Sequence, residues 1–278
     1  MLTIKLPDGS ARQLEQGSSA LDLAKSIGPG LAKASVAAKV DGTIVDLTRP
    51  LPDNATVALL TKKDPEALEV LRHSAAHMMA DAILRIFPKA QLTIGPVVEN
   101  GFYYDIFMPE GEVISSDDFP RIEEEMKKIA KAAEPFERCT ATFDEASEHY
   151  ARYKAIDGGH NKFKQELVEG IKERAETLTF YKHGEFIDLC RGPHVPDTGW
   201  LKHVKLTQVS GAYWRGDANR EQLTRVYGTA FFDKKALKEY FHLLEEAKKR
   251  DHRVLGERLD LFSFHDDSPG MPLFHPKG

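Results

Sequence analysis

The chain has 278 residues, 41% of them hydrophobic and 29% charged, with a net charge of −5 and only two cysteines. Such a composition describes a folded globular chain with room for about two domains, and its low cysteine usage predicts a reducing, cytoplasmic setting. It argues against a disulfide scaffold and a globally basic nucleic-acid binder; no apolar run approaches the roughly 20 residues of a membrane span, and the N-terminus does not read as a signal peptide.

The first 62 residues predict a small separate unit. Thr3–Leu6 alternates as a strand, Pro7–Ser10 is a turn and Ala11–Leu14 is the return strand. Ser19 caps a helix running to Ile27, with Asp22 as its capping-box partner and Gly28 as its stop. Ser35–Val40 and Thr43–Asp46 flank an Asp41-Gly42 turn, and Ala55–Thr61 is a last strand. Strands, a helix and more strands suggest a β-grasp. It holds no catalytic constellation; Asp8 and Asp41 serve turn geometry.

Asp64, Pro65 and Glu66 open a long helix that Pro88 ends. Leu68, Leu71, Ala75, Met78, Ala82 and Ile86 form its apolar stripe. His73 and His77 lie on the other side, one turn apart and pointing the same way, among partly apolar neighbours that predict a pocket. Asn100-Gly101 signals a hairpin, whose Phe102, Tyr103 and Tyr104 either fill a core or present one tyrosine to a ligand. A helix over Asp117–Ala133 follows, with Glu123–Glu125 and Lys127, Lys128 and Lys131 on a solvated face. Then come a strand over Phe136–Phe143, with Cys139 structural, and helical pieces at Asp144–Tyr153 and Lys162–Arg174.

Leu178–Tyr181 and Glu185–Leu189 form a hairpin about His183-Gly184 that delivers Asp188 and Cys190. Gly192 and Pro193 place Cys190 and His194 on a loop leaving that strand. His-x3-His or Cys-x3-His alone is a common accident; together, three imidazoles and a thiol suit a tetrahedral metal site or a metal-free hydrolytic pocket. Asp188 orients a histidine, binds a substrate amine or is merely a strand-end charge. Strands over Lys205–Val209 and Leu223–Thr229 enclose Gly211–Gly216, whose Trp214 and Arg215 either hold a terminal nucleotide by stacking and charge or pack in a core. Asp233 caps a basic helix from Lys234 to about Arg253, a connector with a stripe at Leu237, Tyr240, Phe241, Leu244 and Ala247. Residues 201–260 carry 13 Lys/Arg against 9 Asp/Glu, a basic stripe for phosphate or an ordinary solvated face. The remainder, His265–Gly278, is rich in proline and glycine.

These residues resemble the bacterial-type threonyl-tRNA synthetase family. Leu6-Pro-Asp-Gly-Ser10, Ile27-Gly-Pro-Gly-Leu-Ala-Lys33, Arg72-His-Ser-Ala-Ala-His77, Ile94-Gly-Pro-Val97, Asn100-Gly-Phe-Tyr-Tyr-Asp105, Asp188-Leu-Cys-Arg-Gly-Pro-His-Val-Pro196, Gly211-Ala-Tyr-Trp-Arg-Gly-Asp217 and Lys249-Arg-Asp-His-Arg253 carry the resemblance in order along the chain. It implies an α+β protein: a ubiquitin-like TGS domain at 1–62, an editing domain at 63–232, a linker helix at 233–254 and the start of a class II aminoacylation domain at 255–278. The chain would then be the N-terminal part of a longer ligase, without its anticodon-binding domain. ATP, magnesium and zinc would be needed only by the missing aminoacylation domain, and no cofactor by editing.

The implied activity is hydrolysis of the ester of mischarged Ser-tRNA(Thr). A synthetic pocket for threonine excludes serine poorly, because one methyl is worth only about 1–3 kcal/mol, whereas a second pocket can reject the extra methyl sterically. The resemblance places His73, His77, Cys190 and His194 around that pocket with Asp188 and Lys164. His73 activates water with a pKa suited to neutral pH, His77 and His194 hold water and ester oxygens, and Cys190 shapes the wall. Lys164 meets the carbonyl or oxyanion, Asp188 the substrate ammonium, and Tyr104, Trp214 and Arg215 the tRNA end. The resemblance implies catalysis without a required metal, with adventitious zinc at His73, His77, Cys190 and His194 allowed; alanyl-type editing proteins use a similar set for zinc. An alanyl-type trans-editing deacylase, a stand-alone zinc hydrolase and a non-catalytic tRNA-binding module are the rivals. A monomer is expected for this piece, a homodimer for the full-length protein, and no membrane partner.

Overall fold

A computed structural model describes residues 1–109, 111–152, 161–174, 176–265 and 269–277. Tyr153, expected at a helix end, and residues 266–268 and 278 of the C-terminal run lie outside the described residues. Two compact units are present, Met1–Phe232 and Asp233–Gly278. The fold is α+β.

The first unit opens with β1 (Leu2–Lys5) and β2 (Ala11–Leu14), an antiparallel hairpin. Next come α1 (Ala20–Ile27), α2 (Pro29–Ala34), β3 (Ser35–Val40), β4 (Thr43–Val45) and β5 (Val57–Thr61), with strand order β4-β3-β5. Ser19 and Asp22 form the reciprocal capping box at α1, and Gly28 follows its last residue. The short α2 was not expected from the sequence; Pro29 starts it. Leu2, Ile4, Leu23, Val45, Leu47 and Val57 make the core of this β-grasp. Val36, Ala37 and Leu60 contribute instead to the main core beyond it, so the N-terminal piece is packed into the larger unit.

That main core is organised around α3 (Pro65–Ile86). Asp64 holds the N-cap backbone position, but its carboxylate turns back to accept from the Thr61 N–H and hydroxyl rather than capping the helix. Leu71, Ala75, Met78 and Ala82 are buried as expected, and so are Val70, Ala76, Met79, Ala80 and Ile83, so most of the helix circumference is inside.

After α3 come β6 (Gln91–Leu92), β7 (Val97–Val98), β8 (Gly101–Phe107) and α4 (Phe119–Ala132). The β7–β8 turn holds Asn100, and a Cβ at Gly101 would overlap the Gly228 carbonyl oxygen. Glu123 departs from expectation. Rather than facing solvent, it accepts from the Leu206 N–H and Lys205 Nζ at 2.9 and 2.8 Å and thereby ties α4 to the sheet.

β9 (Glu137–Thr140), α5 (Phe143–Arg152), α6 (Lys162–Glu173), β10 (Thr179–His183) and β11 (Phe186–Leu189) follow, with sheet order β11-β10-β9. β9 is shorter than expected because Thr142 and Glu145 cap α5 at its start. β12 (Val204–Tyr213) and β13 (Gln222–Ala230) complete a second sheet in the order β12-β13-β8-β6, with β7 also on β8.

The second unit contains α7 (Lys234–Lys249), α8 (His252–Arg258) and a two-stranded piece, β14 (Phe262–Ser263) with β15 (Leu273–Phe274). The expected single connector helix is broken, because Asp251 accepts from the Arg253 N–H and starts a new helix. None of the α7 stripe is fully buried. No helix among the described residues is long and apolar enough to cross a membrane.

Candidate active site

α3 and the loop after β11 bring His73, His77, Cys190 and His194 together. Each offers one ligand atom, and all four atoms lie within 4.8 Å of one another. His73 Nε2 is 3.0 Å from Cys190 Sγ, and His194 Nε2 is 3.3 Å from the same sulfur. The His73 and His77 rings stack at 5.3 Å, as their spacing on α3 requires, and both meet the His194 ring at 4.6 Å. The Gly192 N–H donates to Cys190 Sγ at 3.2 Å, turning the loop back on its own thiol.

Burial sets the charge of this group. It pushes His73 down to about 4, with Asp188 opposing the shift, and holds His77 and His194 well below the usual histidine value, where neighbouring histidines add to the effect. It pushes the Cys190 thiol up to about 12. At neutral pH the set is three neutral imidazoles and a thiol. His73 therefore departs from the expectation of a base matched to neutral pH, because the pocket desolvates its imidazolium.

Behind His77 lies a buried charged group. Lys164 Nζ and Asp188 Oδ1 pair at 2.6 Å, each only 2% exposed. Tyr104 donates its hydroxyl to Asp188 Oδ2 at 2.6 Å and accepts from Lys164 Nζ at 3.1 Å, and the Leu189 N–H donates to Asp188 Oδ1 at 2.8 Å. Lys164 is delivered by the first turn of α6, where Asn161 caps its backbone N–H. Asp188 Oδ2 also stands 3.7 Å from His77 Nδ1, an atom with no hydrogen-bond partner among the described residues. Tyr104 is 1% exposed and is held inside this group by Asp188 and Lys164 rather than presented at the surface to a tRNA end.

Trp214 is corrected in the same way. It is 1% exposed, donates Nε1–H to Glu166 at 2.9 Å and packs on Phe163, so it has no free ring face for a nucleotide. Arg215 remains half-exposed, pairs with Glu166 at 3.1 Å and borders a cavity of about 240 Å³ that also touches Cys190, Arg174, Arg191 and Thr179. A larger cleft of about 950 Å³ runs along α3, α4 and the β10–β11 turn and touches none of the four clustered side chains. The smaller cavity reaches the cluster at Cys190.

Sequence reasoning missed Ser74 and Asp46. Ser74 Oγ donates to the Val70 carbonyl at 2.8 Å and accepts from the Val195 N–H at 3.0 Å, beside His194 Nδ1. Asp46 accepts from the His194 backbone N–H and from the Tyr181 hydroxyl. Ser74 was visible only as a residue beside His73 in the motif, and Asp46 only as a strand end.

Comparison with known proteins now gives the site its setting. Residues 2–61 match the family model of the TGS domain, and residues 178–227 match that of the "Threonyl and Alanyl tRNA synthetase second additional domain". The chain thus carries a match to each of these two domain models, and the second match spans Asp188, Cys190 and His194. Along its whole length it is similar to threonine–tRNA ligases: it is 54% identical to that of Desulfatibacillum aliphaticivorans, 52% to that of Desulfosudis oleivorans and 48% to that of Burkholderia multivorans. It spans 42% of the length of these relatives.

Proposed function

We propose that the pocket hydrolyses the ester joining serine to the terminal ribose of tRNA(Thr), as the proofreading part of a threonine–tRNA ligase. The observation that carries this reading is the four-member cluster beside an open cavity, backed by the buried Lys164–Asp188 pair. In this reading the ester enters the cavity at Cys190. Its ammonium donates to Asp188 Oδ2 and the unpartnered Nδ1 of His77, and Lys164 stabilises the developing oxyanion. His73, the most accessible of the three imidazoles, holds the attacking water by its lone pair. Water oxygen bonds to the carbonyl carbon, the ester C–O bond breaks, and the water's proton passes through the imidazole to the departing ribose oxygen. Cys190 and His194 shape the wall that admits serine and rejects the threonine methyl.

The donor set also supports a second reading. Three neutral imidazoles and a thiol within 4.8 Å of one another fit a zinc ion, held by His73, His77, Cys190 and His194. Bound there, zinc would supply Lewis-acid activation of water. We favour hydrolysis without a required metal.

The domain boundaries proposed are 1–62, 63–232, 233–254 and 255–278, with tRNA(Thr) as partner, a cytoplasmic setting, a monomer for this chain and a homodimer for the full ligase. ATP, magnesium and a separate zinc belong to aminoacylation in the remainder of that ligase.

The test is deacylation of Ser-tRNA(Thr) and Thr-tRNA(Thr) with and without chelator. Loss of serine only, insensitive to chelator, is the expected result. Chelator-sensitive loss would favour zinc. Binding of tRNA without hydrolysis, in this chain and in the full ligase, would leave a non-catalytic module. Hydrolysis of Ser-tRNA regardless of its tRNA body would favour an alanyl-type deacylase.

A further inference from the structure

The N-terminal β-grasp sends one side chain into the wall of the histidine pocket. Asp46 follows β4 and is 8% exposed. One of its carboxylate oxygens accepts the His194 backbone N–H at 2.9 Å and the other the Tyr181 hydroxyl at 2.6 Å. The Tyr181 ring lies 4.4 Å from the His194 ring, and Phe136 stacks on that ring at 4.7 Å. The loop also runs directly over Tyr181, since a Cβ at Gly192 would overlap the tyrosine hydroxyl. Asp46 thus holds His194 twice, through its backbone and through the ring it leans on.

Packing at this junction is open on one side. A cleft of about 220 Å³ lies beside it, lined by Ala32, Asp46, Thr48, Phe136, His194 and Trp200. The two hydrogen bonds of Asp46 span the junction beside that space.

We propose that Asp46 is a positioning residue of the pocket, through which the TGS domain fixes where His194 points. The proposal rests on the hydrolase reading above. Removing the carboxylate leaves a buried N–H and a buried hydroxyl without their acceptor, and the loop between Cys190 and His194 then relaxes. Misplacement of a site group by about 1 Å can cost on the order of 100-fold in rate.

The experiment uses the whole chain with Asp46→Ala and Asp46→Asn. Asparagine keeps a carbonyl for the His194 N–H, and its amide can donate to the tyrosine oxygen. Asp46→Ala is expected to lower kcat for Ser-tRNA(Thr) deacylation roughly tenfold or more with KM within about twofold, and Asp46→Asn to recover most of the loss. In a His194→Ala background, Asp46→Ala should cost little more, because its effect runs through His194. Unchanged kcat in Asp46→Ala, an additive loss in the double variant, or an asparagine variant no better than alanine would overturn the proposal.

A readout that needs no activity accompanies these. Hydrogen exchange at the His194 amide and the ring ¹⁵N shifts of His194 should change in Asp46→Ala and return toward wild type in Asp46→Asn. If wild type hydrolyses nothing while these signals move as expected, the hydrolase reading fails and the positioning stands. If they do not move, the positioning fails.

Discussion

Ser74 Oγ and His194 Nδ1 stand 3.1 Å apart, and the direction of their hydrogen bond can be deduced. The single Ser74 hydroxyl proton is given to the Val70 carbonyl, as is usual for serine inside a helix. Ser74 therefore accepts from His194 Nδ1–H, which leaves the lone pair of His194 on Nε2, facing Cys190. Ser74→Ala should release this tautomer and leave the Val195 N–H unpaired, at a cost of about 1–3 kcal/mol of stability. Deacylation should fall roughly tenfold. The ¹⁵N spectrum of His194 checks the tautomer; an unchanged Nδ1–H form in the variant would refute the assignment.

Acid should destabilise the protein through its neutral histidines. His73 and His183 are both held down from 6.5 to about 4, chiefly by burial. The unfolded chain then binds more protons than the folded one below pH 6.5, so stability is complete above that pH and is lost as pH falls from 6.5 toward about 4. Each such histidine contributes a slope of up to about 1.4 kcal/mol per pH unit. Urea melts across pH 4.5–7.5 should show it. A flat profile would mean that these imidazoles are already charged when folded.

The Lys164–Asp188 pair should behave as a buried charge pair. Lys164→Met alone strands the carboxylate and should cost about 3–5 kcal/mol. Lys164→Met with Asp188→Leu should cost clearly less than the sum of the single changes, as a double-mutant cycle in denaturant would reveal. Additivity would show that the two side chains do not depend on each other.

Cys190 should be a poor nucleophile. With its thiol pushed up to about 12, very little thiolate exists at pH 8. Alkylation followed by mass spectrometry should modify Cys190 slowly, and no seryl thioester on its sulfur should accumulate during turnover. Rapid modification would point to a free thiolate, as covalent catalysis requires.

Trp214 and Arg215, neighbours in sequence, should separate in function. Trp214→Phe should change stability and leave tRNA affinity alone, since the ring is inside. Arg215→Ala should weaken tRNA binding and make its salt dependence shallower by about one unit of slope, the signature of a lost phosphate contact. Equal effects of the two on affinity would contradict the buried placement of Trp214.

The helix α3 was legible because its start, its proline stop and its apolar positions all agree. The α1 capping box and the Asp41-Gly42 and His183-Gly184 turns were legible for the same reason: local chemistry alone suffices for them. Glu123 was misassigned because a carboxylate on a charged helix face looks solvated until the Leu206 N–H is brought to it. Trp214 was misassigned because an aromatic beside an arginine has the same sequence whether it stacks on a base or fills a core.

The sequence by itself determined the residue types of the site and their pairing into two short motifs, because a helix fixes His73 over His77 and Pro193 forces Cys190 and His194 into a loop. Only the tertiary structure decided what those residues are chemically. Desolvation makes the imidazoles neutral and the thiol protonated, Ser74 chooses the His194 tautomer, and Asp46 reaches the loop from 148 positions away in the chain. Burial and long-range hydrogen bonds are sums over neighbours that no local window contains.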